Sequence, residues 1–357
     1  MNKHPYQSLA DKAFWRRAVT DLPRSEVDPV GQFDLRIGPD TKVATAGSCF
    51  AQHIARHLRD SGYDYFVAEP GHPILPEGVR QASNYGLFSC RYGNIYTARQ
   101  LRQLMDRAYG RFHPKEDAWF NSLGDVRDPF RPTTQPGGFI SEAEMRADRQ
   151  QHLAAVRRMF QELDVFVFTL GLTECWRSRE DGAVFPLCPG VEGGEFDPER
   201  HEFYNQGVED VVDDLRTVVT KLGKINPSAE VVLTVSPVPL TATAAPNEHV
   251  LSATTYSKSV LRVAAEQLQR RFANVHYFPS YEIITGAFTR GAYYAADLRN
   301  VVEDGVSHVM RLFMQHSTGT GPRRIESRAQ DDISAGYIAT AQHLVDVECD
   351  ETHLDAR

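Results

Sequence analysis

Hydrophobic and polar positions alternate between two periods along this chain. Val165-Phe166-Val167-Phe168, inside the continuous apolar run Asp164–Leu170, predicts a buried central strand. Lys42–Ala46, Tyr63–Ala68, Glu230–Val235 and Asn274–Phe278 predict four further strands. Between them the period becomes helical. Phe50, Ile54 and Leu58 mark a helix over Phe50–Ser61. Val211, Val212, Leu215, Val218, Val219 and Leu222 mark another. Two capping boxes, Thr97 to Gln100 and Ser141 to Glu144, open helices that bury Leu101, Leu104 and Met105, and Leu153, Val156 and Phe160. Further helices are expected over Lys12–Val19, Tyr256–Arg271 and Val302–Gln315, and the stretches 110–140 and 177–207 read as irregular insertions.

Strands alternating with helices predict an α/β fold, a doubly wound parallel sheet with helices on both faces. Ligand sites on such sheets lie at the carboxyl ends of the strands. Gly47-Ser48, Glu69–Pro76, Gly171–Trp176 and Ser236–Leu240 should therefore share one face, with Ala295–Asn300 nearby.

Composition narrows the function classes. The 357 residues carry a net charge of −8 and no basic block, which argues against a nucleic-acid surface. Five scattered cysteines argue against a disulfide framework, and no Cys/His spacing suggests a metal. No cofactor is expected. Met1–Ala10 lacks a signal-peptide core and no apolar run reaches membrane-span length, so the expectation is a cytoplasmic protein without a membrane span. Its oligomeric state is left open.

Candidate chemistry centres on Val43–Ala51. A strand, a Gly-Ser turn and a helix put Ser48 at a helix N-terminus, where free N–H groups favour negative charge. Three readings are open there: an ordinary N-cap, an anion site, or a nucleophile whose oxyanion is stabilised as it forms. Cys49 reads as a small buried thiol.

Gly47-Ser48-Cys49-Phe50-Ala51 resembles the signature of GSCFA-domain proteins, a branch of the SGNH (GDSL-like) hydrolases. Arg91-Tyr92-Gly93-Asn94-Ile95-Tyr96, Thr169–Glu174, Ser236-Pro237-Val238 and Ser257-Lys258 extend the resemblance in the same order. It implies a flavodoxin-like three-layer domain over 41–316, with an N-terminal arm (1–40) and a charged C-terminal tail (317–357). It also implies a serine esterase or O-acyltransferase acting on acylated carbohydrate or polysaccharide precursors. Ser48 takes the nucleophile position, Gly93 that of the oxyanion glycine, and Thr173 replaces the usual oxyanion asparagine. Asp297 matches the orienting acid, but Asn300 stands where the base histidine belongs. An amide cannot accept the serine proton, so a non-catalytic ligand-binding or glycan-assembly protein is the alternative. Other base candidates are His72 and His249 on the presumed active face, His53 on the first helix, Glu174 at the end of the central strand, and His308. Helical spacing puts His308 on the solvent side of the last helix.

Overall fold

The computed structural model of the chain describes residues 4–48, 50–121 and 123–318. Its centre is a parallel four-stranded sheet in the order β1 (Val43–Gly47), β4 (Val165–Leu170), β8 (Glu230–Val235), β9 (Val275–Tyr277). Two more strands, β2 (Trp119–Phe120) and β3 (Val126–Arg127), form a small antiparallel pair. The strands β5 (Glu174–Ser178), β6 (Val184–Phe185) and β7 (His201–Asn205) make a separate antiparallel sheet in the order β6-β5-β7.

Strand alternation divides the core into two layers. Ala44, Ala46, Phe166, Phe168, Leu170, Val231, Leu233 and Val235 share one apolar cluster. The helices α3 (Ala98–Ala108), α4 (Glu142–Glu162), α5 (Val208–Ile225) and α6 (Val250–Arg271) cover it. Val43, Val165, Val167 and Val232 belong to the opposite cluster. That side is covered by α1 (Phe50–Asp60), α7 (Ser280–Thr285) and α8 (Glu303–Thr318). A short α2 (Glu77–Ala82) buries nothing. The doubly wound three-layer arrangement is thus the one the periodicity predicts.

Several local expectations are corrected. Tyr63–Ala68 forms only one parallel bridge, Tyr65 to Val43. After Phe66 donates to the Val43 carbonyl, the chain turns away and Ala68 donates to the Ser89 carbonyl. The stretch 177–207 is not irregular, because it supplies most of the β5-β6-β7 sheet. Lys12–Val19 holds two short turns, Asp11–Ala13 and Arg16–Thr20, with no buried residue. Helix α6 begins six residues earlier than its apolar spacing predicts, because His249 caps it by accepting from the Leu251 N–H. Val30, Phe33, Leu35 and Ile37 from the N-terminal arm pack under α8. Cys49 and nearly all of the expected charged tail lie outside the described residues.

The end of β1 leaves no room for a side chain. Gly47 has φ +137, and a Cβ there would lie 2.4 Å from the Thr169 carbonyl oxygen and 2.8 Å from the Thr169 Cβ. Both obstacles belong to the neighbouring strand, so they cannot swing aside. Gly47→Ala should lower stability by about 2–4 kcal/mol, combining backbone strain with overpacking. Chemical denaturation of the two proteins checks this, and a loss under about 0.5 kcal/mol, the scale of an ordinary surface substitution, would show that the strands separate freely.

Candidate active site

Ser48 follows the tight Gly47 position at the carboxyl end of β1. It is 4% exposed. Its hydroxyl has no hydrogen-bond partner among the described residues. An N-cap serine would accept from a backbone N–H of the first helical turn. Here the Ala51 N–H donates to the Ser48 carbonyl, and the side chain takes no part. An unpaired buried hydroxyl costs about 1–3 kcal/mol, so the position is not explained by helix capping.

Two segments close around it through backbone bonds. The Ile95 N–H donates to the Gly47 carbonyl, and the Gly171 and Leu172 N–H groups donate to the Tyr96 carbonyl. A Cβ built on Gly171 would lie 3.4 Å from the Ser48 Cβ, so the 171–173 turn lies directly against the serine. Gly93 sits at the head of the first segment with φ +67, a left-handed conformation that favours glycine. It is buried, and its N–H finds no acceptor among the described residues.

Helix α6 braces the 171–173 turn. Lys258 Nζ donates to the Gly171 carbonyl at 2.6 Å. The Thr173 N–H donates to Ser257 Oγ at 3.0 Å. The Thr173 hydroxyl donates to Asn205 Oδ1 at 2.7 Å, so its proton is already engaged. Ser257 and Lys258 are legible as a motif, but their bracing role is not. Asn205 carries no sequence signal, because it reaches the site only through the antiparallel pairing of β7 with β5.

Asp297 and Asn300 close on each other. Asp297 Oδ1 accepts from the Arg299 and Asn300 N–H groups, and Oδ2 accepts from Asn300 Nδ2 at 2.6 Å. Partial burial pushes the Asp297 carboxyl up, but these donors and the Arg299 charge hold it below its ordinary value. Arg299 Nε donates to the Pro239 carbonyl and Tyr294 to the Pro237 carbonyl. The 294–300 loop is thereby tied to the residues following β8, on the carboxyl side of the sheet. Neither Asp297 nor Asn300 bonds to Ser48.

No imidazole hydrogen-bonds to the serine either. His72 is exposed, with Nδ1 accepting from the Ile74 N–H. His249 is exposed and caps α6. Burial, with help from Arg56, pushes His53 down to about 4. The placement of His308 on the solvent side is overturned: it is 4% exposed, with Nδ1 2.8 Å from the Tyr293 hydroxyl. The helical pattern of α8 could not register this, because Tyr293 and residues near Arg24 cover that face from outside the helix. Burial, then the Arg311 charge, pushes His308 down to about 4. Glu174 opens β5 and accepts from Thr243 Oγ1 at 2.7 Å. Among the described residues no group of three potential ligands is placed to hold a metal, and no helix is long and apolar enough to cross a membrane.

A family model described as the GSCFA family matches residues 42–313. No curated protein matches the chain. Among solved structures, one described as a "putative GDSL-like lipase" from Parabacteroides merdae is 12% identical, with a TM-score of 0.32 over 80% of this chain and 99% of that one.

Neutral buried His308 makes stability pH-dependent. Its folded value, about 4, lies below its ordinary 6.5, so the unfolded chain binds more protons between them. Stability should therefore fall as pH drops from 6.5 towards 4, by about 2–3 kcal/mol from this residue. His308→Gln should flatten that part of the curve in denaturant titrations at a series of pH values. An unchanged slope in the variant would mean that His308 protonates freely in the fold.

Proposed function

This chain belongs to the GSCFA family, and on that footing we propose that it is a serine hydrolase or acyltransferase acting on esters through Ser48. The observation that carries the reading is the Ser48 hydroxyl, buried at the carboxyl edge of a parallel sheet and bonded to no described group. Most buried hydroxyls are satisfied, and those that are not call for a specific explanation. A hydroxyl reserved for a substrate is one.

In the proposed reaction Ser48 Oγ attacks an ester carbonyl. The new Oγ–C bond forms, the ester C–O bond breaks, and the serine proton leaves with the alcohol. Water or an acceptor hydroxyl then takes the acyl group and returns the proton to Ser48. The Gly93 N–H, which bonds to no described acceptor, supports an oxyanion donor at that position. Thr173 would have to give up its bond to Asn205 to act as a second donor. A carbohydrate ester is the proposed substrate class, and it rests on family resemblance.

A non-catalytic reading has its own observation in favour. The Asn300 amide donates to Asp297, and no described base touches Ser48. In that version the serine hydroxyl hydrogen-bonds a bound ligand and forms no covalent bond.

Fluorophosphonate labelling with mass spectrometry, beside hydrolysis of short-chain p-nitrophenyl esters, separates the two. Under the enzyme reading the native chain carries one adduct on Ser48, and Ser48→Ala lowers turnover by about 10³-fold or more. No adduct and equal background rates in both proteins would replace it with the binding reading.

A further inference from the structure

An ester attacked by Ser48 develops negative charge on its carbonyl oxygen, and the Gly93 N–H is one donor for it. Side chains around the 171–173 turn, which lies directly against the serine, can supply a second. The Thr173 hydroxyl is engaged by Asn205 Oδ1, and the Asn300 amide is engaged by Asp297. The other end of the Asn205 amide is not engaged.

Asn205 is held beside the turn by both its backbone and its side chain. Its partner across the β5–β7 ladder is Glu174, and the next residue, Gln206, donates its N–H to the Thr173 carbonyl at 3.0 Å. Gln206 is fully buried, with Nε2 bonded to Asp214, so the end of β7 cannot drift from the turn. The contact of 2.7 Å between the Thr173 hydroxyl and the Asn205 amide has the length of an O–H···O bond and is shorter than an ordinary N–H···O bond. The atom facing the hydroxyl is thus Oδ1, and the planar amide turns its NH2 away from it. Asn205 is half-buried, and its Nδ2 donates to no described group and keeps contact with solvent. A donor that is oriented, accessible and uncommitted suits an incoming oxygen.

The bond from Thr173 favours donation in two ways. Accepting at Oδ1 polarises the amide, which strengthens its N–H as a donor. The hydroxyl also decides which way round the amide sits. Turned over, Asn205 would present Oδ1 to the developing oxyanion and repel it.

On the footing of the Ser48 reading, we propose that Asn205 is a catalytic residue, the second oxyanion donor, and that Thr173 is the positioning residue that orients it. As the Ser48 Oγ–C bond forms, the carbonyl π pair moves onto the acyl oxygen. Asn205 Nδ2–H donates a hydrogen bond to that oxygen and keeps its proton. When the ester C–O bond breaks, the pair returns to the carbonyl and the hydrogen bond weakens. Thr173 holds Oδ1 throughout.

Steady-state hydrolysis of p-nitrophenyl acetate by the full chain tests this through Asn205→Ala, Thr173→Val and the double variant. Asn205→Ala should lower kcat by about 10²–10³-fold, the scale of one lost oxyanion donor, with KM changed by less than about threefold. Asn205→Asp, of the same size, puts an acceptor in place of the NH2 and should lose at least as much. Thr173→Val should also slow turnover, and the double variant should be no slower than Asn205→Ala, because the hydroxyl acts only through the amide. Losses that add across the two sites give Thr173 a merely structural role and overturn the proposal. It is also overturned if Thr173 is itself the donor, since Asn205→Ala then frees the hydroxyl and turnover holds or rises. Failure of the Ser48 reading looks different and takes the proposal with it: the native chain then carries no Ser48 adduct and turns over no faster than Ser48→Ala.

Discussion

The contact between Gly47 and Thr169 sets the geometry of the carboxyl edge. With no room for a side chain at the end of β1, the chain can run flush against β4 and then leave the sheet at Ser48. The segments that meet the serine are fixed by backbone groups. Gly47 accepts from Ile95, and Tyr96 accepts from Gly171 and Leu172. Such bonds hold regardless of side-chain identity. They fix the path of the 93–96 and 171–173 turns and leave side chains there free for other work. Helix α6 adds the support from below, since Lys258 and Ser257 grip the same turn at two successive points.

The insertion between α3 and α4 is held in another way. Arg91, fully buried, donates to the Ser83 and Thr134 carbonyls, to Gln135 and to Asp148. Asp128 is gripped by Arg131 and Arg149. Glu69 accepts from the Arg91 N–H and from His152, and these contacts with the Arg131 charge outweigh its burial and hold it at about 2. Buried ion pairs add little net stability, because desolvation offsets most of the attraction, but breaking one is expensive. Their effect here is to define where the loop goes. They fix the stretch 126–140 against α4 and Gly93, which apolar contact alone would leave free to slide.

The parallel sheet was legible because its strands are continuous apolar runs and its helices carry clean caps. Thr97 and Gln100 form the capping box that their spacing predicts, and Ser141 accepts from the Glu144 N–H. The β5-β6-β7 sheet was not legible. Its strands carry half-exposed charged and aromatic residues such as Arg177, Glu202 and Tyr204, with no clear period of two. The pairing of β5 with β7 joins Glu174 to Asn205 across the β6 strand that lies between them in sequence. His308 was misplaced for a related reason. A helical wheel shows one helix in isolation, and the segment around Arg24 that closes over the other face lies nearly three hundred residues earlier. Ser48 and Gly93 were visible as motif positions. That both have polar groups without a partner among the described residues was not, since this depends on what the rest of the fold leaves unbonded.

The Thr169 hydroxyl, on the strand beside Gly47, is also buried without a partner among the described residues, whereas the polar groups of the turn that meets Ser48 are engaged. Within the 171–173 turn, the Gly171 carbonyl, both Thr173 backbone groups and the Thr173 hydroxyl all have partners. Across the edge, Asp297 and Asn300 satisfy each other and their own turn. A fold able to satisfy these groups could also have satisfied a serine hydroxyl, by letting it cap α1. It instead leaves that hydroxyl and the Gly93 N–H without a bond to any described group. Carrying the two costs stability, and a site that engages a ligand at these atoms recovers it on binding. Asn300 makes a different point. Its amide keeps the closed turn with Asp297 that an imidazole could also close, yet it cannot take a proton. The two halves of the edge therefore differ: the half around Ser48 holds a buried hydroxyl bonded to no described group, while Asp297 and Asn300 close a turn of their own. Under the proposed enzyme reading Asn300 cannot take the serine proton, and no described group bonded to Ser48 stands in for it.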